Sequence, residues 1–244
     1  MNDDLAFAPQ QKKRAGLFEA TLQKLFTRSA TVVDIVDLGR AFRLITLGGD
    51  ALRGVDWTPG DKIQVQLGGW VQRTYTPIGW DNVSGHTRIL VFLHADGPGT
   101  QWARTVKKGD ACVVFGPRTS LALAPTRTPA IVIGDETSLG LAAALSARGP
   151  VQVLLEVANR HETTPALNYL GLTDVQLCIR TDAENPALEA HLSALLMQDA
   201  SPDIILTGRA STIQQLTRFL RQTGIGSGKR HSKPYWAPGK TGLD

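Results

Sequence analysis

Cysteine is scarce: Cys112 and Cys178 are the two in 244 residues, each inside an apolar run and neither with a partner at metal or redox spacing. That excludes a disulfide framework and an iron–sulfur cluster held by this chain, and it leaves two buried, reduced thiols. The five histidines form no HxxxH or similar cluster, so no metal site is expected. No apolar run is long enough to span a bilayer, and the first residues are polar and acidic, so a cytoplasmic protein without membrane insertion is expected. A GxGxxG fingerprint, a zinc-finger spacing, a basic helix and an aromatic platform are all missing. The net charge of +4 therefore makes no case for nucleic acid, and suits anionic small molecules or an acidic protein partner.

What is present falls into two textures. From about residue 30 to 116 short alternating or apolar runs follow one another: Thr31 to Val36, Ala41 to Leu47, Lys62 to Leu67, Trp70 to Thr76, Arg88 to His94 and Ala111 to Phe115. Turn signals such as Leu-Gly-Arg and Thr-Pro-Gly-Asp separate them, and six short strands at that spacing predict an antiparallel barrel. A helix is expected before it, over Gly16 to Thr27, and a short one within it, over Gly99 to Lys107. Beyond Thr119, the runs Ala130 to Ile133, Val151 to Val157, Val175 to Ile179 and Ile204 to Leu206 are nearly continuous and aliphatic, as in strands buried on both faces. Helix-like stretches lie between or after them, at Ser138 to Arg148, Ala187 to Met197 and Thr212 to Thr223, which predicts a parallel sheet covered by helices. The expected domains are 1–122 and 123–244, with the boundary in the Ala-, Pro- and Thr-rich loop Leu121 to Pro129.

Four segments are shaped for a ligand. In Arg73-Thr74-Tyr75-Thr76, residues two apart share a strand face, so Arg73 and Tyr75 point the same way with Thr76 at the strand end. A guanidinium grips phosphate, a phenol ring lies along an aromatic system, and a hydroxyl bonds a ring nitrogen, which is the inventory for a flavin dinucleotide. The same pair also fits an exposed cation packed over a half-buried aromatic. His94 to Trp102 joins a strand to a helix start through Gly97, Pro98 and Gly99, and such a start suits a diphosphate or is an ordinary turn. Gly134-Asp135-Glu136-Thr137 opens the first helix of the second half, where a nucleotide or simple charge at a helix N-terminus accounts for it. The tail Lys233-Pro-Tyr-Trp-Ala-Pro-Gly-Lys240 carries two large aromatics, too short and broken to build a layer, which either pack at the domain interface or cover a ring ligand.

Taken in order, RxYT, HxxGPxxxWA, Gly116-Pro117-Arg118 in a glycine–proline turn, GDET and a terminal YWxxG resemble the siderophore-interacting protein family over residues 15 to 242. These are FAD-dependent ferric-siderophore reductases of the ferredoxin-NADP reductase superfamily. The resemblance implies an FAD-binding barrel, then an α/β domain for a nicotinamide nucleotide. It places FAD on Arg73, Thr74, Tyr75 and Thr76, and its diphosphate and adenosine on His94, Gly97, Pro98, Gly99, Thr100 and Trp102. It places the nicotinamide nucleotide at Gly134, Asp135, Glu136 and Thr137, with Tyr235 and Trp236 approaching the flavin from the opposite face. Thr76, bonded near flavin N5, is the residue implied in hydride transfer. NADPH is the expected donor, with NADH the alternative, because Arg160 follows the second parallel strand where a 2′-phosphate would sit. The acceptor implied is a ferric siderophore or other ferric chelate.

The departure is at Pro77 and Ile78, where many members carry a second arginine two positions after the threonine. Arg230, Lys233 and Lys240 are the substitutes this chain offers for an anionic chelate. A second reading makes the protein an FAD carrier docking a redox partner such as ferredoxin through its basic surface.

Overall fold

In the computed structural model the described residues are 27–68, 71–94, 96–121, 123, 129–198, 202–224 and 230–240. The helix expected over 16–27 lies outside them, except for Thr27, which opens the first strand. Trp70 and most of the expected interdomain loop also lie outside.

Seven strands form one antiparallel sheet: β1 Thr27–Leu38, β2 Phe42–Gly48, β3 Asp61–Gly68, β4 Val71–Tyr75, β5 Pro77–Asp81, β6 His86–Phe92 and β7 Ala111–Thr119. Their order is β4-β3-β7-β1-β2-β6-β5. Alternation produces this layer: in β6, Thr87, Ile89 and Val91 are buried while their neighbours are not. The edges are β4 and β5, which are consecutive in the chain with Thr76 alone between them. Two residue steps reach at most about 7 Å, so the two edges must come together and the sheet curls into a barrel. The expected barrel is present; the run read as one fourth strand turns sharply at Thr76, and its continuation crosses to the far edge as a seventh strand. Helix α1, Pro98–Thr105, covers one end. The glycine–proline turn expected at Gly116 to Arg118 lies instead inside β7, where pairing with β3 shifts register between Lys62 and Gln64.

The chain passes between Thr119 and Ala130 to a parallel sheet of order β10-β9-β8-β11-β12: β8 Ala130–Asp135, β9 Val151–Val157, β10 Val175–Ile179, β11 Asp203–Arg209 and β12 Arg230–Trp236. Helices α2 Leu139–Ser146, α3 Arg160–Leu170, α4 Pro186–Gln198 and α5 Ala210–Gln222 complete it. Two of these elements are absent from the sequence reading. Helix α3 contains Pro165 and two adjacent threonines, which weaken its pattern, yet Asn159 caps it through the N–H groups of His161 and Glu162. The tail is strand β12, pairing parallel with β11 as a sheet edge, where Pro234 removes a donor at little cost. The strand order reverses between β8 and β11, and open α/β sheets bind ligands at such a switch point beyond the strand carboxyl ends.

The two sheets share a core. Leu38, Phe42, Leu44 and Ile78 from the barrel pack in one apolar cluster with Val132, Leu139, Leu141, Ala142 and Leu155 from the α/β half. A second cluster fills the barrel around Ile45, Ile63, Ile89 and Val114, and a third lies on the other face of the parallel sheet around Ile133, Leu154 and Leu206. Among the described residues no helix is long and apolar enough to cross a membrane.

Leu139 is fully buried in the shared cluster. Leu139→Ala should cost about 2–5 kcal/mol. In urea, helical circular dichroism and tryptophan fluorescence should shift together to a lower midpoint; an earlier loss of the α/β half alone would show that the halves do not share this core.

Candidate functional site

The barrel wall of the site is built on β4. Arg73 and Tyr75 pair across to Val65 and Ile63, both fully buried, so they face inward as residues two apart on a strand must. Helix α1 lies over that face. A methyl group on Gly99 would come within 3.1 Å of Tyr75 Oη and 3.2 Å of Arg73 Cγ, so glycine lets the start of α1 approach both side chains. Gly97 caps α1 without a side-chain bond, and Pro98 follows at the first helical positions, leaving backbone N–H groups for an anion above the arginine. Thr100 Oγ1 fastens the helix by donating to the His94 carbonyl at 2.9 Å. Burial pushes the Tyr75 phenol above its ordinary range against the opposing pull of Arg73, so it stays protonated.

The opposite wall comes from the carboxyl edge of the parallel sheet. Tyr235 and Trp236 end β12; Thr76 Oγ1 donates to Tyr235 Oη at 3.4 Å across the two halves. Trp236 Nε1 donates to Asp135 Oδ2 at 2.6 Å. The other Asp135 oxygen accepts from the backbone N–H of Thr137 at 2.8 Å and from its hydroxyl. Gly208 has φ +90°, and a methyl group there would stand 2.5 Å from Asp135 Oδ2, so this close approach needs glycine. Glu136 accepts from Ala158 N–H at 2.6 Å and pairs with Arg180, whose guanidinium lies 5.7 Å from the Trp236 ring centre. Beside it, burial raises the Glu156 carboxyl above its usual range, opposed by a hydrogen bond from Thr212 and by Arg180.

Between the walls runs a cleft of about 390 Å³. Arg73, Thr74, Tyr75, Thr76, His94, Gly97, Gly99, Thr100, Thr137, Lys233, Tyr235, Trp236 and Lys240 line it, so most of the expected residues converge. Others do not. Pro98 and Trp102 line a separate hollow with Leu67 and Val71, the Trp102 ring lying 6.3 Å from that of Tyr75. Asp135 and Glu136 are 0% and 2% exposed and turn their carboxylates into the capping and cation contacts just described, with no oxygen facing the cleft. Gly134 is likewise absent from the lining; a methyl group there would collide with Ser138 Oγ. Arg160 opens α3 on the exposed surface and donates to the Leu177 carbonyl at 2.8 Å. Arg230 corrects an expectation. It begins β12, about 20 Å of strand from Trp236, and is absent from the lining that holds Lys233 and Lys240.

Sequence reasoning missed Lys62 and Gly140. Lys62 lines the cleft from β3, and nothing local distinguishes it from any strand lysine. Gly140 lies where a methyl group would be 3.1 Å from the Thr76 carbonyl, a contact between halves that no local pattern encodes. Phe92, also missed, stacks between Phe42 and His94 at 5.0 and 4.9 Å, and His94 reaches to 6.5 Å from Trp236, so an aromatic wall crosses the cleft. Among the described residues, the charged ones lining the cleft are Lys62, Arg73, Lys233 and Lys240, and none is a carboxylate.

An antiparallel barrel and a parallel sheet with its switch point turned to the barrel define the ferredoxin-NADP reductase-like fold. Within that fold the chain belongs to the siderophore-interacting protein family: the model of the siderophore-interacting FAD-binding domain matches residues 68–121, and that of siderophore-interacting protein matches 128–239. It is 21% identical to the NADPH-dependent ferric-chelate reductase of Escherichia coli, over 86% of this chain and 92% of that protein. It is 27% identical to the mycobactin import ATP-binding/permease protein IrtA of Mycolicibacterium smegmatis, over 69% of this chain and only 20% of that much longer protein. The fold matches a siderophore utilization protein from T. fusca at TM-score 0.71 and 23% identity, covering 89% of this chain and 95% of that one. SipS, a siderophore-interacting protein from Aeromonas hydrophila, also superposes at 0.71, with 20% identity over 88% and 93% of the two chains.

Burial, partly offset by the Thr76 hydrogen bond, pushes the Tyr235 phenol up to about 12. An unfolded tyrosine titrates near 10, so above that pH the unfolded chain loses its proton first, and stability falls as pH rises from about 10 to 12. Denaturation midpoints across that range should fall less steeply in Tyr235→Phe than in the unaltered protein; equal slopes would show that Tyr235 is not the group responsible.

Proposed function

We propose that the protein is an FAD-dependent reductase that passes electrons from NADPH to a ferric siderophore or a similar ferric chelate. The observation that carries this reading is the convergence of Arg73, the uncapped start of α1, Tyr75, Thr76 and Tyr235 on one cleft at the switch point, with no carboxylate among its described lining residues. Those residues fit FAD. The guanidinium of Arg73 and the N–H groups at the start of α1 would hold the diphosphate, in a gap that the missing Cβ of Gly99 and the open space at Gly97 leave clear. Tyr75 and Tyr235, both protonated through the physiological range, would border the ring system, and Thr76 would meet its N5 edge.

When bound, FAD supplies the exchange between a two-electron donor and a one-electron acceptor. The chain's own part is positional and electrostatic. The shared core fixes the barrel against the α/β half, so the cleft has a set width. The apolar and aromatic wall of Leu90, Val91 and Phe92 excludes water from one side. Lys62, Lys233 and Lys240 present positive charge to an anionic chelate, standing in for the arginine that Ile78 replaces. Ile78 itself is 7% exposed in the shared core, so it has a packing role in place of a binding one. Arg160, exposed after β9, would meet a 2′-phosphate, and the NADPH dependence named for the Escherichia coli relative supports that donor.

The purified protein should carry or take up FAD with a visible flavin spectrum, bleach on anaerobic addition of NADPH, and recover its colour when a ferric chelate is added. Arg73→Ala should weaken FAD binding about 10- to 100-fold, the loss of one charged hydrogen-bonding group. A protein that takes up no FAD would overturn the reading, and one that bleaches but is not reoxidised by any ferric chelate would overturn its acceptor.

A further inference from the structure

Helix α1 is held at the end away from the cleft by an arginine of the barrel. Arg43 lies on β2, directly across from Asp37 of β1 and Val91 of β6. It shares a strand face with Ile45 and Leu47, which fill the barrel, while Phe42 and Leu44 on the other face pack in the core shared with the α/β half. A guanidinium aimed that way needs acceptors, because a buried charge without partners is costly. Its Nε lies 2.9 Å from Asp37 Oδ1, and one terminal nitrogen donates to the Ala103 carbonyl and reaches the Val106 carbonyl at 3.5 Å.

Both carbonyls belong to the end of α1. The Ala103 carbonyl would accept the Lys107 N–H if the helix ran on, but that N–H donates to Asp110 Oδ2 at 2.8 Å instead. Ala103 is fully buried, so Arg43 takes the place of the missing helical donor. At the other end Thr100 fastens the first turn to the His94 carbonyl, and Gly99 lies against Arg73 and Tyr75. Eight residues make a helix about 12 Å long, a stiff two-turn rod in which a shift of the last turn moves the first.

We propose that Arg43 is a positioning residue for FAD: by holding the last turn of α1, it sets where the first turn presents its N–H groups to the diphosphate. This rests on the FAD reading above. Arg43 is not among the described residues lining the cleft, so it acts through the helix and not by touching the cofactor.

The test compares the affinities for FAD and for riboflavin, which has the ring system and no phosphate. Arg43→Met keeps an apolar stem and removes every donor. FAD affinity should fall about tenfold, the order of one hydrogen bond to a charged group, while riboflavin should bind as it does to the unaltered protein. The deficit should be the same at low and high salt, because it arises from geometry, whereas the loss of a charge acting at a distance is screened by salt. Arg43→Lys, which keeps a donor for the Ala103 carbonyl, should regain most of the FAD affinity. Should Arg43→Met not fold, Asp37→Asn, which removes the carboxylate that aims the guanidinium, should weaken FAD and leave riboflavin unchanged. FAD affinity that does not fall in the folded variant, FAD and riboflavin affinities that fall together, a deficit that disappears at high salt, or no recovery in Arg43→Lys overturns the inference and leaves the FAD reading standing. No FAD uptake by the unaltered protein overturns both.

Discussion

One residue, Thr76, separates the strand at one edge of the antiparallel sheet from the strand at the other. A single intervening residue cannot span an open seven-stranded sheet, so the chain itself requires closure. The same step puts Thr76 on the barrel seam, where its carbonyl meets Gly140 of the second half and its hydroxyl meets Tyr235. Barrel closure, domain docking and the floor of the cleft therefore depend on one local turn. Ile78, two residues on, anchors that turn in the core common to both halves.

The cleft inherits its chemistry from this arrangement. Its barrel wall brings a cation and a helix start together because Gly99 lets α1 lie against Arg73 and Tyr75. Its other wall is the carboxyl edge of a parallel sheet, and there the acidic residues are consumed inward. Asp135 holds Trp236, Glu136 holds Arg180, and Arg180 in turn lies near the face of Trp236. Turning these carboxylates away from the cleft leaves its described lining basic, a field that favours anionic ligands.

Much of this was legible because it is periodic or local. Strand alternation and the buried aliphatic runs located most elements, and Val151–Val157 and Val175–Ile179 agree to the residue. Arg73 and Tyr75 could be placed on one face because a strand has a period of two. What escaped had its cause elsewhere in the chain. Strand β12 exists because β11 offers an edge, and helix α3 survives its proline through the Asn159 cap. The inward turn of Asp135 follows from Trp236, a hundred residues away, and Lys62 and Gly140 enter the site only once the two sheets are docked. Arg230 and Lys233 look equivalent in sequence, but three strand steps carry one of them away from the cleft.

The most direct test of the account is a crystal structure of the protein with FAD. The ring system should lie in the cleft with N5 facing Thr76 and the ring bordered by Tyr75 and Tyr235, and the diphosphate should rest on Arg73 and the N–H groups that follow Gly97. FAD bound elsewhere, or bound in the cleft with its diphosphate away from Arg73 and α1, would contradict it.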